Sequence, residues 1–85
     1  MQPVTLYTTR ICPYCVSAKQ LLQKKGAHYT EISVDTSEEK YREMLARSQG
    51  RRTVPQIFIG DTHVGGRDEL YALEKAGALD KLLQG

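Results

Sequence analysis

The stretch VTLYTTRICPYCVSAKQLLQKKG, residues 4–26, decides how the chain is read. Val4 to Thr8 alternate in polarity and are rich in β-formers, so they predict a strand. Further on, Cys15, Ala18, Leu21 and Leu22 recur at helical spacing, with Lys19, Gln20, Gln23 and Lys24 on the opposite face. Pro13 suits the first helical position, where its missing N–H is no loss and its fixed φ fits the turn. Gly26 suits the residue just past the helix end. Strand, turn and helix follow directly on one another, and both cysteines of the chain, Cys12 and Cys15, stand where the turn becomes the helix.

Working outward, HYTEISV (28–34) reads as a second strand. TSEEKYREMLARSQG (36–50) predicts a helix, with Thr36 three residues before Glu39 as a capping box, Tyr41, Met44 and Leu45 on one face, and Gly50 as the stop. VPQIFIG (54–60) is a short apolar strand with a proline at its start. THVGG (62–66) is its partner across a tight Gly60-Asp61 turn. RDELYALEKAG and ALDKLLQ are helical, and Asp68 is the candidate N-cap. The order is βαβ, helix, β-hairpin, helix. Two strands joined by a crossover helix should be parallel. The hairpin then adds two antiparallel strands, giving a thioredoxin-like α/β fold: a four-stranded mixed sheet with helices on both faces.

Eighty-five residues, 40% of them hydrophobic, make one domain spanning residues 1–85 with a single core. No apolar run approaches the roughly 18 residues that span a bilayer. MQPVTLYTT lacks a basic segment followed by an apolar one, so no secretory signal is expected. Twelve basic against 10 acidic side chains give a net charge of +2, too small and too mixed to argue for nucleic acid or an anionic membrane. Two cysteines are too few for a secreted disulfide scaffold, so a cytoplasmic setting is expected, where a close cysteine pair binds metal or does redox chemistry.

Cysteines at this spacing suit a metal clamp, a pair of buried structural thiols or a redox couple. A structural zinc site needs four ligands. His28 and His63 fall singly in two predicted strands, read as solvated, and form no second paired motif, so no metal is expected. Burying two thiols at a proline-led helix entry would be an odd use of that place. The redox reading explains more residues. Cys12 falls at the helix cap, where the unpaired N–H groups of the first turn and the helix dipole favour a thiolate and lower the thiol pKa. Cys15, three residues on, shares the helical face and should be the more buried. Cys12 is therefore expected to be the nucleophile and Cys15 the resolving thiol. An ordinary thiol is about 3% ionised at pH 7, and full ionisation gains roughly 30-fold in thiolate. The accompanying loss of nucleophilicity returns most of that gain, whereas departure from a mixed disulfide is speeded. Such a site suits a carrier that accepts and then releases a thiol partner.

CPYC (12–15), TVPQIFI (53–59) and GGRDEL (65–70), in this order, resemble a glutaredoxin of the dithiol class, of the small bacterial type, over essentially the whole chain. The resemblance implies a glutathione-dependent thiol–disulfide oxidoreductase that reduces protein disulfides and protein–glutathione mixed disulfides, with glutathione as co-substrate. It implies a groove beside Cys12 whose site residues include Thr53, Val54 and a cis Pro55, with the backbone of Val54 pairing with the cysteine unit of the tripeptide. Gly66, Arg67 and Asp68 would receive its γ-glutamyl end, and Tyr14 would flank it. Many family members carry a lysine three residues before the first cysteine. Here that residue is Thr9, with Arg10 next to it, so Arg51 is the preferred partner for the glycyl carboxylate. Arg10, Arg51, Arg52 and Arg67 all sit in or beside these segments, and planar guanidinium groups match carboxylates. Expected partners are glutathione and disulfide-containing or glutathionylated proteins, ribonucleotide reductase being one candidate, for a monomer. The competing readings are a redoxin served by thioredoxin reductase and a carrier of a glutathione-ligated iron–sulfur cluster.

Overall fold

The computed structural model describes all 85 residues, Met1–Gly85. The elements run β1 (Val4–Thr8), α1 (Pro13–Lys24), β2 (Tyr29–Ser33), α2 (Glu38–Arg47), β3 (Gln56–Ile59), β4 (Thr62–Gly65), α3 (Arg67–Lys75) and α4 (Leu79–Gln84). The sheet order is β2-β1-β3-β4. β1 pairs parallel with β2 and antiparallel with β3, and β3 pairs antiparallel with β4, so the sheet is mixed as expected.

Alternation along the strands sorts their side chains onto two faces. Val4, Leu6, Ile57 and Ile59 point one way. They bury against Ala18, Leu21 and Leu22 of α1, Leu70 of α3, and Leu79 and Leu83 of α4. Tyr7 and Phe58 point the other way and meet Val34 and Met44, the latter on α2, with Tyr41 and Leu45 packed alongside. The four apolar positions that predicted α1 are all buried.

The helix ends follow local chemistry. α1 closes with Gly26 at φ +72, the N–H of Gly26 bonding Gln23 O and that of Ala27 bonding Leu22 O. α3 closes the same way at Gly77, with Ala78 bonding Leu73 O. Both are Schellman closures, which need a residue at ease with positive φ. In the hairpin turn Gly60 has positive φ while Asp61 does not, as a type II′ turn requires.

Three expectations are corrected. The N-cap of α2 is Ser37, whose Oγ accepts from Lys40 N at 3.2 Å, and not Thr36, whose hydroxyl instead faces Ser33. α2 stops at Arg47, before Gln49 and Gly50 both turn to positive φ. β3 starts at Gln56 and not at Val54, since Pro55 has no N–H to give to the ladder; the Val54–Pro55 bond before it is cis.

Candidate functional site

The site lies where the C-terminal end of β1, the start of α1, the loop before β3 and the start of α3 converge. Cys12 is the N-cap of α1 and Pro13 its first residue. The sulfur of Cys12 accepts from the N–H of Cys15 at 3.1 Å, so the cap that a serine or aspartate oxygen usually supplies is here a sulfur. Cys12 and Cys15 are joined as a disulfide with Cα atoms 5.2 Å apart, inside the range such a bond requires. Cys12 is half-buried and Cys15 is 1% exposed. Only one sulfur of the pair can meet an incoming group.

Two hollows that share Tyr14 and Val54 meet beside Cys12. On one side a polar groove of about 240 Å³ runs from Tyr14 past the loop Arg51, Thr53, Val54 and Pro55 to the first turn of α3. All eight residues expected to hold glutathione line it: those five together with Gly66, Arg67 and Asp68. The carbonyl oxygen of Val54 lies 3.9 Å from Cys12 Sγ, which sets how closely that loop approaches the sulfur. On the other side an apolar hollow of about 290 Å³ is lined by Ile11, Pro13, Tyr14 and Val54 with Thr9 and Cys12 itself. Ile11 is 93% and Tyr14 59% exposed, so this rim presents bare apolar surface to solvent. The largest hollow of the molecule, about 390 Å³, lies beside Gln2 and Tyr29 at the far end of β1, away from the cysteines.

Two glycines allow the groove to close up. A Cβ on Gly65, itself at φ +113, would meet Arg51 Nη1 at 2.9 Å, and one on Gly66 would meet Glu69 Oε1 at 3.1 Å. Gly66, and not Asp68, is the N-cap of α3. Having no side chain, it leaves the first-turn N–H groups of Arg67 and Asp68 open to the groove. Asp68 is the second helical residue, largely exposed, and its Oδ1 pairs with Arg67 Nη1 at 3.0 Å. Glu69 is a lining residue that sequence reasoning missed. Its Oε1 accepts from Gly66 N at 2.5 Å and lies 3.8 Å from Arg51 Nη2. The signal was there, since Glu69 is the third helical residue counted from a Gly66 cap.

Arg67 spans the groove rim, with its guanidinium 4.4 Å from the Tyr71 ring centre and 5.6 Å from that of Tyr14. Its Nε is buried without a hydrogen-bond partner. Tyr71 donates to Ser17 O at 3.0 Å and so ties α3 to α1 beneath this contact. Arg10 does not reach the groove. Its backbone N–H and Nε both bond Asp35 Oδ2, at 3.0 and 3.3 Å. The Ser33 hydroxyl and the Arg10 backbone N–H together hold the Asp35 carboxyl down at about 2. Arg52 is exposed outside the groove.

His63 is not the solvated strand residue the sequence suggested. Its ring stacks on Phe58 with centres 4.7 Å apart, and its Nε2 lies 2.8 Å from Gln56 Oε1. Burial, then the nearby charges of Arg51 and Arg47, hold its pKa below the ordinary histidine value. No cluster of three or more histidine, cysteine, aspartate or glutamate side chains is arranged to hold a metal ion.

The model of the glutaredoxin family matches residues 4–64. The chain belongs to the glutaredoxin family. It is 60% identical over 83 residues to a glutaredoxin of Pseudomonas aeruginosa, covering 98% of each chain. It is 51% identical over 84 residues to glutaredoxin 3 of Escherichia coli, covering 99% of this chain and all of the relative. Among solved structures, a glutaredoxin of Brucella melitensis superposes with a TM-score of 0.84 at 54% identity, over 98% of this chain and 89% of that one. A buckwheat glutaredoxin–glutathione complex superposes with a TM-score of 0.87 at 33% identity, over 98% and 77%. The cysteine pair of this glutaredoxin is therefore a redox couple, and its role is that of a thiol–disulfide oxidoreductase.

Proposed function

We propose that the protein uses glutathione to reduce protein–glutathione mixed disulfides and protein disulfides, with Cys12 as nucleophile. The observation that carries this reading is the groove walled by Val54, whose carbonyl lies 3.9 Å from Cys12 Sγ, and by charged residues that complement glutathione. Arg51 can meet the glycyl carboxylate, and the open N–H groups at the start of α3 can meet the γ-glutamyl carboxylate. Asp68 can face the ammonium. A related glutaredoxin solved as a complex with glutathione supports the same co-substrate.

In the reduced protein, the Cys15 N–H and the helix start that now point at Cys12 Sγ favour its thiolate. The thiolate attacks the glutathionyl sulfur of a mixed disulfide, and the protein thiolate leaves and takes a proton from water. A second glutathione thiolate then attacks the Cys12–glutathione bond, releasing glutathione disulfide and the Cys12 thiolate. With a protein disulfide, Cys12 first forms a bond to the substrate. Cys15 then attacks Cys12 Sγ, the substrate leaves with both thiols reduced, and the Cys12–Cys15 disulfide remains. Two glutathione molecules reduce that disulfide and become one glutathione disulfide. The burial of Cys15 keeps it from competing for external disulfides. A cytoplasmic location, where a glutathione pool keeps thiols reduced, belongs to the same reading.

The test is glutathione-dependent reduction of a glutathionylated peptide by the Cys15→Ser variant, coupled to glutathione reductase, with thioredoxin reductase as a parallel electron source. Turnover with glutathione alone is expected. No glutathione turnover, with the wild type reduced instead by thioredoxin reductase, would replace this reading with that of a thioredoxin-like redoxin.

A further inference from the structure

Three polar side chains are buried: Thr8, Ser48 and Gln56. Two of them hold the loop that forms one wall of the groove. Ser48 Oγ donates to Arg51 O at 3.1 Å. Gln56, fully buried, directs Nε2 to Thr53 O at 2.9 Å and to Thr53 Oγ1 at 3.1 Å. Its Oε1 faces His63 Nε2 at 2.8 Å.

Donor and acceptor roles along this chain are forced. Thr53 O can only accept, so the Gln56 group facing it must be the NH₂. A flipped amide would set two carbonyl oxygens against each other. The Gln56 oxygen therefore faces His63, and His63 must present an N–H from Nε2. The neutral Nε2–H tautomer does this, and the ring is held in plane for it by its stacking on Phe58.

We propose that His63 is a positioning residue for the redox site. By donating from Nε2 it locks the Gln56 amide, the amide fixes the Thr53 carbonyl, and Thr53 fixes the Val54 peptide beside Cys12. His63 stands on β4 and does not line the groove, so it acts only through Gln56. The effect on turnover rests on the glutathione reading above, whereas the hydrogen-bond relay does not.

His63→Leu keeps an apolar side chain against Phe58 and removes the donor. It should raise KM for a glutathionylated peptide by roughly three- to tenfold, the range one hydrogen bond corresponds to. The rate of Cys12 alkylation by iodoacetamide should stay unchanged, because the start of α1 is untouched. His63→Gln carries an N–H to a similar reach and should restore KM. An unchanged KM in His63→Leu, or no recovery in His63→Gln, would reduce His63 to a packing residue. Nitrogen NMR of the wild-type imidazole tests the relay without any variant. The Nε2–H tautomer at neutral pH is expected, and the Nδ1–H tautomer would overturn the proposal. A wild type without glutathione turnover would defeat the glutathione reading and with it the claim that His63 serves that site. The tautomer would still report on the relay itself.

Discussion

The two faces of the sheet are built on different chemistry. The face covered by α1, α3 and α4 buries an apolar cluster of 11 residues, with polar contacts at its edge, where Thr8 bonds Glu31 and Glu31 pairs with Lys19. The face covered by α2 buries a cluster of four, Tyr7, Val34, Met44 and Phe58, and polar contacts run through and around it. Tyr7 donates to Glu43 Oε2 at 2.6 Å and accepts from Arg47 Nη1 at 3.0 Å. The Arg47 guanidinium lies 4.1 Å over Phe58, the ring on which His63 also stacks. Gln56, in phase with Phe58 on β3, belongs to this face as well. Apolar packing is strong but non-directional, whereas hydrogen bonds carry orientation. One face thus supplies most of the cohesion. The other sets directions, and the groove wall is among the things it directs.

Breaking the apolar face should have the largest effect. Leu22→Ala empties a fully buried position and should lower unfolding free energy by about 2–5 kcal/mol in urea titration. Exchange activity per folded molecule should be unchanged. A comparable loss of activity in the fraction still folded would show that this face also directs the site. Removing charge from the groove comes next. Asp68→Ala should raise KM for glutathionylated substrates several-fold with little change in stability, since the side chain is largely exposed. An unchanged KM would take Asp68 out of the binding site. On the polar face, Tyr7→Phe removes a hydroxyl whose partners can both return to water. It should cost about 1 kcal/mol in the same titration.

Acid should separate the faces most finely. The Glu43 carboxyl is held below its ordinary value, first by the Tyr7 hydroxyl, and that of Asp35 falls from 3.8 to about 2. Carboxylates depressed in the folded state contribute stability that is present above the unfolded pKa and lost as pH falls through the folded one. For Asp35 the window runs from about pH 4 down to about pH 2. Both groups belong to α2 or the turn before it, against one depressed carboxyl, Glu31, bonded to Lys19 of α1, so α2 amides should lose hydrogen-exchange protection at pH 3 before those of α1 do. Simultaneous loss in both helices would erase the distinction between the faces.

Much of this was legible in the chain. The spacing of Cys15, Ala18, Leu21 and Leu22, with Pro13 before and Gly26 after, specified α1 because helix period and end chemistry are local properties. The groove residues lie in three short segments, so their resemblance to a family could be read without knowing the fold. Non-local contacts were not legible. Arg10 could have turned toward the groove or toward Asp35, and only the pairing of β1 with β2, which sets Thr8 beside Ser33, brings Asp35 within reach. His63 looked solvated because its partners depend on the β3–β4 register, which shifts between Ile57 and Phe58. Asp68 looked like a cap because aspartate caps well in general. Here the glycine two residues earlier takes that place, so that the loop and α3 can close on each other.

That glycine cap has a thermodynamic consequence. A helix that begins on Gly66 lacks the side-chain acceptor with which most helices satisfy their own first turn. A carboxylate seated there from solution would complete the cap, so the occupied protein would be the more stable one. Its melting temperature should then climb with ligand concentration, as mass action requires of anything that binds only the folded state.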